Sequence, residues 1–294
     1  MTGGTVVAPG VVQIDTLLGG WDRVTAGYLI EGPPPVLIET GSQSSAPSLR
    51  KALADLGVGP HDLAAVVVTH IHLDHAGGVG DVAAAFPDAT VHVHELGARH
   101  LADPTRLVSS AGRVYGDLLD SLYGRLAPTP AERIQALDDG ETVGTLTAVH
   151  SPGHAKHHLA LHDSASGLLF VGDAVGVKLP DVGVLRPATP PPDFDLELAL
   201  SSLRRFGERS PSALALAHFG VLPDPPADVL AEAEEALCQW AEVAEKAWEA
   251  GGDIDGALAE AFGHAHERVE ILNGVHSNAA GLRRWLGSRP SPEG

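Results

Sequence analysis

Thr69-His70-Ile71-His72-Leu73-Asp74-His75-Ala76-Gly77-Gly78 places three imidazoles and a carboxylate within six positions, directly after the apolar run Ala64-Ala65-Val66-Val67-Val68. Short β-branched runs of this kind read as buried strands. Such a strand delivers His70, His72, Asp74 and His75 to its exposed end, where a loop can fold them round a cation. Imidazole suits zinc, manganese and iron, and Asp adds a hard oxygen donor. Gly77-Gly78 lets the backbone turn tightly just past these residues. With sixteen histidines in 294 residues an accidental pair is easy to obtain, but His-x-His-x-Asp-His at a strand end is not. Six residues do not usually enclose a metal alone, so the rest of the chain must supply partners.

Three further segments repeat the pattern of an apolar strand ending in a ligand-type residue. Leu146–Val149 runs into His150-Ser151-Pro152-Gly153-His154, Leu168–Val171 into Gly172-Asp173, and Ala213–Ala217 into His218-Phe219-Gly220. A lone His in such a place is usually structural, and a lone Asp before a turn is usually a cap. Ligands at the ends of adjacent strands converge on one edge of a sheet, where rigid elements hold them.

These residues carry a resemblance. His70-Ile71-His72-Leu73-Asp74-His75, Pro152-Gly153-His154, Gly172-Asp173 and His218 stand in the order, and with gaps similar to those, of the metallo-β-lactamase-fold hydrolase superfamily, over Val11 to Val221. The resemblance implies an α/β fold, a four-layer αββα sandwich, with a dinuclear centre at one edge of two sheets. It implies that His70, His72 and His154 hold one metal and that Asp74, His75 and His218 hold the second. Asp173 and a hydroxide would then bridge the two, with Asp74 also steering the nucleophile or taking part in proton transfer. Two divalent ions are expected, zinc ahead of manganese or iron. The chain departs from the family's common Asp-Thr-Gly in having Glu39-Thr40-Gly41, a position expected to support the site from behind the ligands.

The bridging Asp173 points to the glyoxalase II-like and lactonase-like branch rather than to true β-lactamases, which generally lack it. The expected activity is therefore metal-dependent hydrolysis of a small ester-like substrate, a thioester or lactone ahead of a phosphodiester, with Asp74 and Asp173 as catalytic residues. The alternative is an iron-dependent oxidoreductase of the same fold, similar to persulfide dioxygenases, which typically hold one iron with fewer ligands. A third reading, metal as a mere structural staple, fits poorly because a structural site is normally closed and needs one ion.

Composition agrees with a globular enzyme: 44% hydrophobic and 19% charged residues, with a formal charge of −19. That charge disfavours nucleic acid and anionic membranes as partners, since phosphate contacts need a basic face. A small-molecule substrate is expected, with room left for a homodimer. The single cysteine, Cys238, excludes an intramolecular disulfide and reads as a half-buried structural thiol in a helix. Met1–Thr5 shows no basic region before a long apolar core, and no run is long enough to span a bilayer, so the cytoplasm is the expected location.

Strands are expected at 11–15, 25–31, 36–39, 66–69, 90–94, 145–149, 159–162, 168–171 and 213–217. Helices are expected at 47–56, 79–85, 106–124 and 193–206, the last with Asp193 near its N-terminus. Pro187–Pro192 is a proline-rich connector. After Pro225 the chain turns Ala-rich and helical over 227–250 and 254–286, which suggests a catalytic domain at 1–222 and a helical extension at 223–294. The extension is expected to be a lid, a substrate contact or a dimer contact; its Arg268, Arg283 and Arg284 do not map onto the glutathione-binding arrangement that the helical C-terminal part of glyoxalase II-like members carries. Of the other histidines, one of His157 and His158 is a candidate to support the site or touch substrate, with a purely structural role equally open, while His92 and His94 read as packing or surface residues, a place near the site being the lesser reading for His94. Tyr115 and Tyr123 read as core or pocket lining. Lys178 is a candidate anchor for an anionic group.

Overall fold

The computed structural model describes residues 3–264 and 266–289. Met1 and Thr2 of the segment read for a signal, and Ala265 within the expected 254–286 helical stretch, lie outside the described residues. Two sheets form the centre. The first runs β1 (Thr5–Ala8), β2 (Val11–Asp15), β3 (Ala26–Ile30), β4 (Val36–Ile38), β5 (Ala65–Val67), β6 (Thr90–Val93), β7 (Ile134–Ala136), in that spatial order. The second contains β8 (Thr142–Val143), β9 (Leu146–His150), β10 (Leu159–Asp163), β11 (Leu168–Gly172), β12 (Ala213–Leu216) and β13 (Gly220–Val221), in reverse order across the sheet.

Side-chain alternation along these strands builds the layers. Val36 and Ile38 of β4, Ala65 and Val67 of β5, Leu159 and Leu161 of β10, and Leu168 and Phe170 of β11 all enter the core between the sheets. The intervening Leu37 and Val66 face outward onto one helical layer, and Ala160, Leu169 and Val171 onto another. Period-two alternation in a strand requires this split once both faces are covered. Tyr28 pins the sheets together: its ring lies 4.8 Å from that of Phe170 and its hydroxyl donates to Leu216 O at 2.5 Å. Truncating a buried aromatic such as Phe170 to Ala is expected to cost about 3–5 kcal/mol.

The outer layer on the first sheet comprises α1 (Ala46–Asp55), the single turn α2 (Leu73–Ala76), α3 (Val79–Ala85), α4 (Glu95–Ala102) and α5 (Thr105–Tyr115). The expected 106–124 helix breaks after Tyr115 at Gly116, which has φ +54°, and resumes as a π-helical turn over Leu119–Tyr123. The second sheet is covered by α6 (Leu196–Glu208), α7 (Pro226–Glu249), α8 (Ile254–Phe262) and α10 (Val275–Ser288), with α9 (Glu267–Asn273) beside them. Helix α6 begins later than expected: Asp195, not Asp193, is its N-cap, accepting from Leu198 N at 2.9 Å. Helices α7, α8 and α10 share one core with α6 and the second sheet through Leu237, Trp240, Leu258 and Trp285, whereas Val269 of α9 joins the core of the first sheet's outer layer. Cys238 is exposed, correcting the half-buried expectation, because it falls on the solvent side of α7. Among the described residues, no helix is long and apolar enough to cross a membrane.

Topology positions the site. Strands β4 to β7 are parallel, so β5 ends at the same edge as its neighbours. Strands β9 and β11 each pair antiparallel with β10, and β11 pairs parallel with β12, so β9, β11 and β12 all end at one edge of the second sheet. The two edges meet: Leu159 N donates to Thr69 O at 2.8 Å and Ala26 N to Ala217 O at 2.8 Å.

Candidate metal centre

At that shared edge the structure brings together all seven residues predicted as ligands. His70, His72 and His154 form one group of donors, Asp74, His75 and His218 another, and His70, His75 and Asp173 a third; within each group the donor atoms lie within 4.8 Å of one another. Among the described residues, these groups contain no residue outside the predicted set.

The strand-end glycine explains how Asp173 gets there. Gly172 has φ +50°, and a Cβ on it would meet His158 Nε2 at 2.5 Å and Thr69 Oγ1 at 2.7 Å, so only glycine fits. The turn aims the carboxylate between the two histidine groups. Asp173 Oδ2 lies 3.7 Å from His154 Nε2, while Oδ1 lies 3.3 Å from His75 Nε2 and 3.5 Å from His218 Nε2. Asp74 Oδ2 sits 3.5 Å from His218 Nε2 and 3.8 Å from His75 Nε2.

Four of the five imidazoles have a group behind them. His154 Nδ1 donates to Ala188 O at 3.0 Å and His218 Nδ1 to Val24 O at 2.8 Å, which turns both Nε2 atoms inward. His70 Nδ1 faces Thr69 Oγ1 at 3.0 Å. Histidine ligands almost always have such an outer partner. Glu39 resolves the departure noted in the sequence. From a left-handed backbone (φ +62°), its Oε1 accepts from Thr69 N at 2.8 Å and its Oε2 approaches His75 Nδ1 at 3.2 Å. The next residue, Thr40, donates from both its backbone N and its hydroxyl to His75 O. The longer carboxylate thus reaches the ring while the turn holds the backbone.

The donor set tests whether a cation fits. His72 Nδ1 lies 3.0 Å from both His70 Nε2 and His154 Nε2. With Nδ1 of His154 donating outward, its Nε2 presents a lone pair; a single proton on His72 can satisfy one of the two contacts but not both. In the second group, His75 Nε2 and His218 Nε2 face each other at 3.2 Å, and buried Asp173 Oδ1 has no hydrogen-bond partner among the described residues. Buried polar groups left unpaired in this way are costly. Several lone pairs converging on one small space is what a divalent cation requires.

The two groups differ electrostatically. Burial, aided by neighbouring histidines, holds His70 well below the usual imidazole range and takes His72 down to about 4; burial also lowers His154 against the pull of Asp173. Burial would lower His75 and His218 too, but the charges of Asp173 and Asp74 outweigh it and both are raised. Reciprocally, burial tends to raise Asp74 and Asp173, yet His75 and His218 bring Asp74 down to about 2 and Asp173 well below the carboxylate range.

His158 is the outer support that the sequence offered alongside His157: its Nε2 accepts from Asp173 N at 3.3 Å while Nδ1 contacts Ser151 Oγ at 2.7 Å. His157 is buried with its ring parallel to that of His70, at 6.3 Å, and burial together with His72 takes it down to about 3. His94 is buried against His150 at 4.6 Å, and His92 is buried as expected of packing residues. Tyr123 belongs to the core of the first layer, and Tyr115 leans on it at 4.4 Å. Both phenols lie near enough to the centre for Asp74 to add to the effect of burial, which takes Tyr115 up to about 12. Lys178 does not serve as a free anchor: its ammonium pairs with Glu232 at 3.0 Å and Asp224 at 3.6 Å. What sequence reasoning missed were the supports supplied by backbone, Ala188 O and Val24 O, which no side-chain pattern announces.

Comparison with known proteins agrees with this geometry. Residues 19–218 match the model of the metallo-beta-lactamase superfamily, and the chain belongs to that superfamily, whose members are mostly hydrolases. It is 29% identical over 204 residues to the uncharacterized protein YobT of Bacillus subtilis, covering 67% of this chain and 84% of that one. It is 28% identical over 164 residues to the metallo-beta-lactamase fold-containing protein ST1585 of Sulfurisphaera tokodaii, covering 53% of this chain and 60% of that one. The solved structure of ST1585 superposes with a TM-score of 0.69 at 24% identity, covering 93% of this chain and 98% of that one. The atrochrysone carboxyl ACP thioesterase of Aspergillus fumigatus is 27% identical over 194 residues, which cover 58% of this chain and 38% of the thioesterase.

Proposed function

We propose that this chain is a hydrolase that holds two divalent cations, zinc by preference, and cleaves a small thioester or lactone, with phosphodiesters ranking behind. The observation that carries the reading is Asp173, whose two oxygens face different donor groups, Oδ2 toward His154 and Oδ1 toward His75 and His218. His70, His72 and His154 would hold one cation and Asp74, His75 and His218 the other, with Asp173 shared between them. The chemistry supplied by such a pair is a lowered pKa for water and Lewis-acid polarisation of the attacked group.

The protein's own residues do the rest. Asp74, whose Oδ2 lies 3.5 Å from His218 Nε2 and 3.8 Å from His75 Nε2, is placed to orient the attacking water. Glu39, Thr40 and His158 hold His75 and Asp173 in place, so little reorganisation is needed when charge develops. The thioester preference draws support from the thioesterase among the relatives. A single-iron oxidoreductase is less well supported, because the Asp74, His75 and His218 group is complete. Purified protein with quantified metal, screened against thioester, lactone and phosphodiester panels, tests the proposal. Turnover that a chelator abolishes and zinc restores is expected. No metal-dependent turnover on any panel, or one iron per chain with persulfide-dependent oxygen uptake, would contradict it.

A further inference from the structure

The proline-rich connector Pro187–Pro192 lies between the metal centre and the last helices, and each of its first three residues is hydrogen-bonded. Ala188 O accepts from His154 Nδ1 at 3.0 Å. On one side of it, Pro187 O accepts from Asn273 Nδ2 at 3.0 Å. On the other, Thr189 donates to Asn278 Oδ1 from its backbone N at 2.6 Å and from its hydroxyl at 2.8 Å. Asn278 Nδ2 closes the circuit on Asn273 Oδ1 at 2.9 Å. Thr189 and Asn278 are wholly buried and Asn273 nearly so. Helix α10 comes close enough that a Cβ on Gly281 would meet Thr189 O at 1.8 Å, so its backbone abuts the connector. The same strap reaches the loop after Asp173: Val177 N donates to Arg186 O at 2.9 Å, and the Arg186 side chain is anchored on Glu270 and Gly263 O.

A pair of buried asparagines that merely held the tail to the body would need only to satisfy each other and any nearby backbone. Here they clamp the two residues flanking the carbonyl that orients His154. We infer that Asn273 and Asn278 are positioning residues for His154, so that the C-terminal helices set the affinity of the His70, His72, His154 half of the centre. The inference rests on the two-cation reading above. It gives those helices a role other than lid or dimer contact: they fix the Ala188 carbonyl, and through it the direction in which His154 Nε2 points. Outer partners of metal-ligating histidines typically change metal affinity roughly ten- to a hundred-fold when lost.

The test is zinc binding by competition with a chromophoric chelator, with stoichiometry measured alongside, on the full chain and three variants. Asn278→Ala removes the clamp. Thr189→Val, which keeps the backbone bond to Asn278, serves should Asn278→Ala not fold. Leu258→Ala empties a buried site in α8 of the same tail without touching the connector. The expected result is a rise of roughly ten- to a hundred-fold in one of the two zinc dissociation constants for Asn278→Ala, with a smaller rise in the same constant for Thr189→Val and none for Leu258→Ala. The histidine imidazole NMR spectrum should show the His154 Nδ1–H exchanging faster with solvent in the clamp variants alone. Unchanged zinc affinity in both clamp variants, or an equal loss in Leu258→Ala, would overturn this inference and leave the proposed function standing. Failure of the unaltered protein to take up zinc would overturn both.

Discussion

His154 and His218 occupy matching places in the two halves of the centre. Each follows a strand of the second sheet, each is buried, and each donates Nδ1–H to a backbone carbonyl. The carbonyl that holds His154 belongs to the connector clamped by the C-terminal helices, whereas the one that holds His218 belongs to Val24, at the entrance to β3 in the first sheet. Their electrostatics diverge as well. The imidazoles of the His154 half are lowered by burial, whereas in the His218 half the charges of Asp173 and Asp74 outweigh burial and raise both. One half depends on the tail and the other on the sheet and on charge, so the two can be perturbed separately.

The largest effect is expected where the halves meet. Asp173→Ala removes the carboxylate facing both and should lower kcat/KM at least about a thousand-fold, equivalent to roughly 4 kcal/mol of barrier. Steady-state kinetics on the best substrate would show it, and a loss under tenfold would break the picture of a shared carboxylate. Next come His154→Ala and His218→Ala, each expected to reduce bound metal from two ions to one when measured by elemental analysis after gel filtration. Loss of both ions in either variant would mean that the halves do not load independently.

A smaller, directional effect is expected of Glu39→Gln. The substitution keeps an acceptor for Thr69 N but sets an amide against His75 Nδ1, so it should weaken one ion about ten- to a hundred-fold. The affected ion should be the one lost in His218→Ala, opposite to the effect of Asn278→Ala. If both variants weakened the same ion, the division of supports would be wrong. The smallest effect lies outside both halves. Asp163, at the far end of β10, accepts from Ala165 N at 3.3 Å and Ser166 N at 3.0 Å, as well as from the Ser166 hydroxyl. Burial would raise its carboxyl, but these bonds outweigh it and the folded-state value is depressed. Its contribution, about 1 kcal/mol, is therefore present above the unfolded value near 4 and lost as pH falls through the folded one. Thermal melts of Asp163→Asn between about pH 3 and pH 7 should show a loss at neutral pH that vanishes in acid, with metal affinity unchanged.

Much of the layered fold was legible because period-two burial leaves its mark on every central strand; Leu168-Leu169-Phe170-Val171 alone specifies a strand covered on both faces. The ligands were legible because a metal needs particular side chains at strand ends. What escaped the sequence has physical reasons too. The helix expected over 106–124 breaks at Gly116 because that residue takes up positive φ, a choice that glycine permits but does not demand. Asp193 and Asp195 are equally good caps in composition, and only the emergence of the chain from the connector selects Asp195. Lys178 lies close to Asp173 in sequence, yet its long side chain finds Glu232 and Asp224 instead. The supports from Ala188 O, Val24 O and Asn278 depend on contacts between distant segments and on backbone atoms that every residue possesses.

The central claim is that two donor groups sharing Asp173 make one hydrolytic centre. Metal-free protein titrated with zinc while thioester or lactone turnover is followed tests it most directly. The account predicts that activity climbs until two zinc ions are bound per chain and then levels off, with Asp173→Ala inactive throughout. A plateau after one ion, or turnover indifferent to zinc, would contradict it.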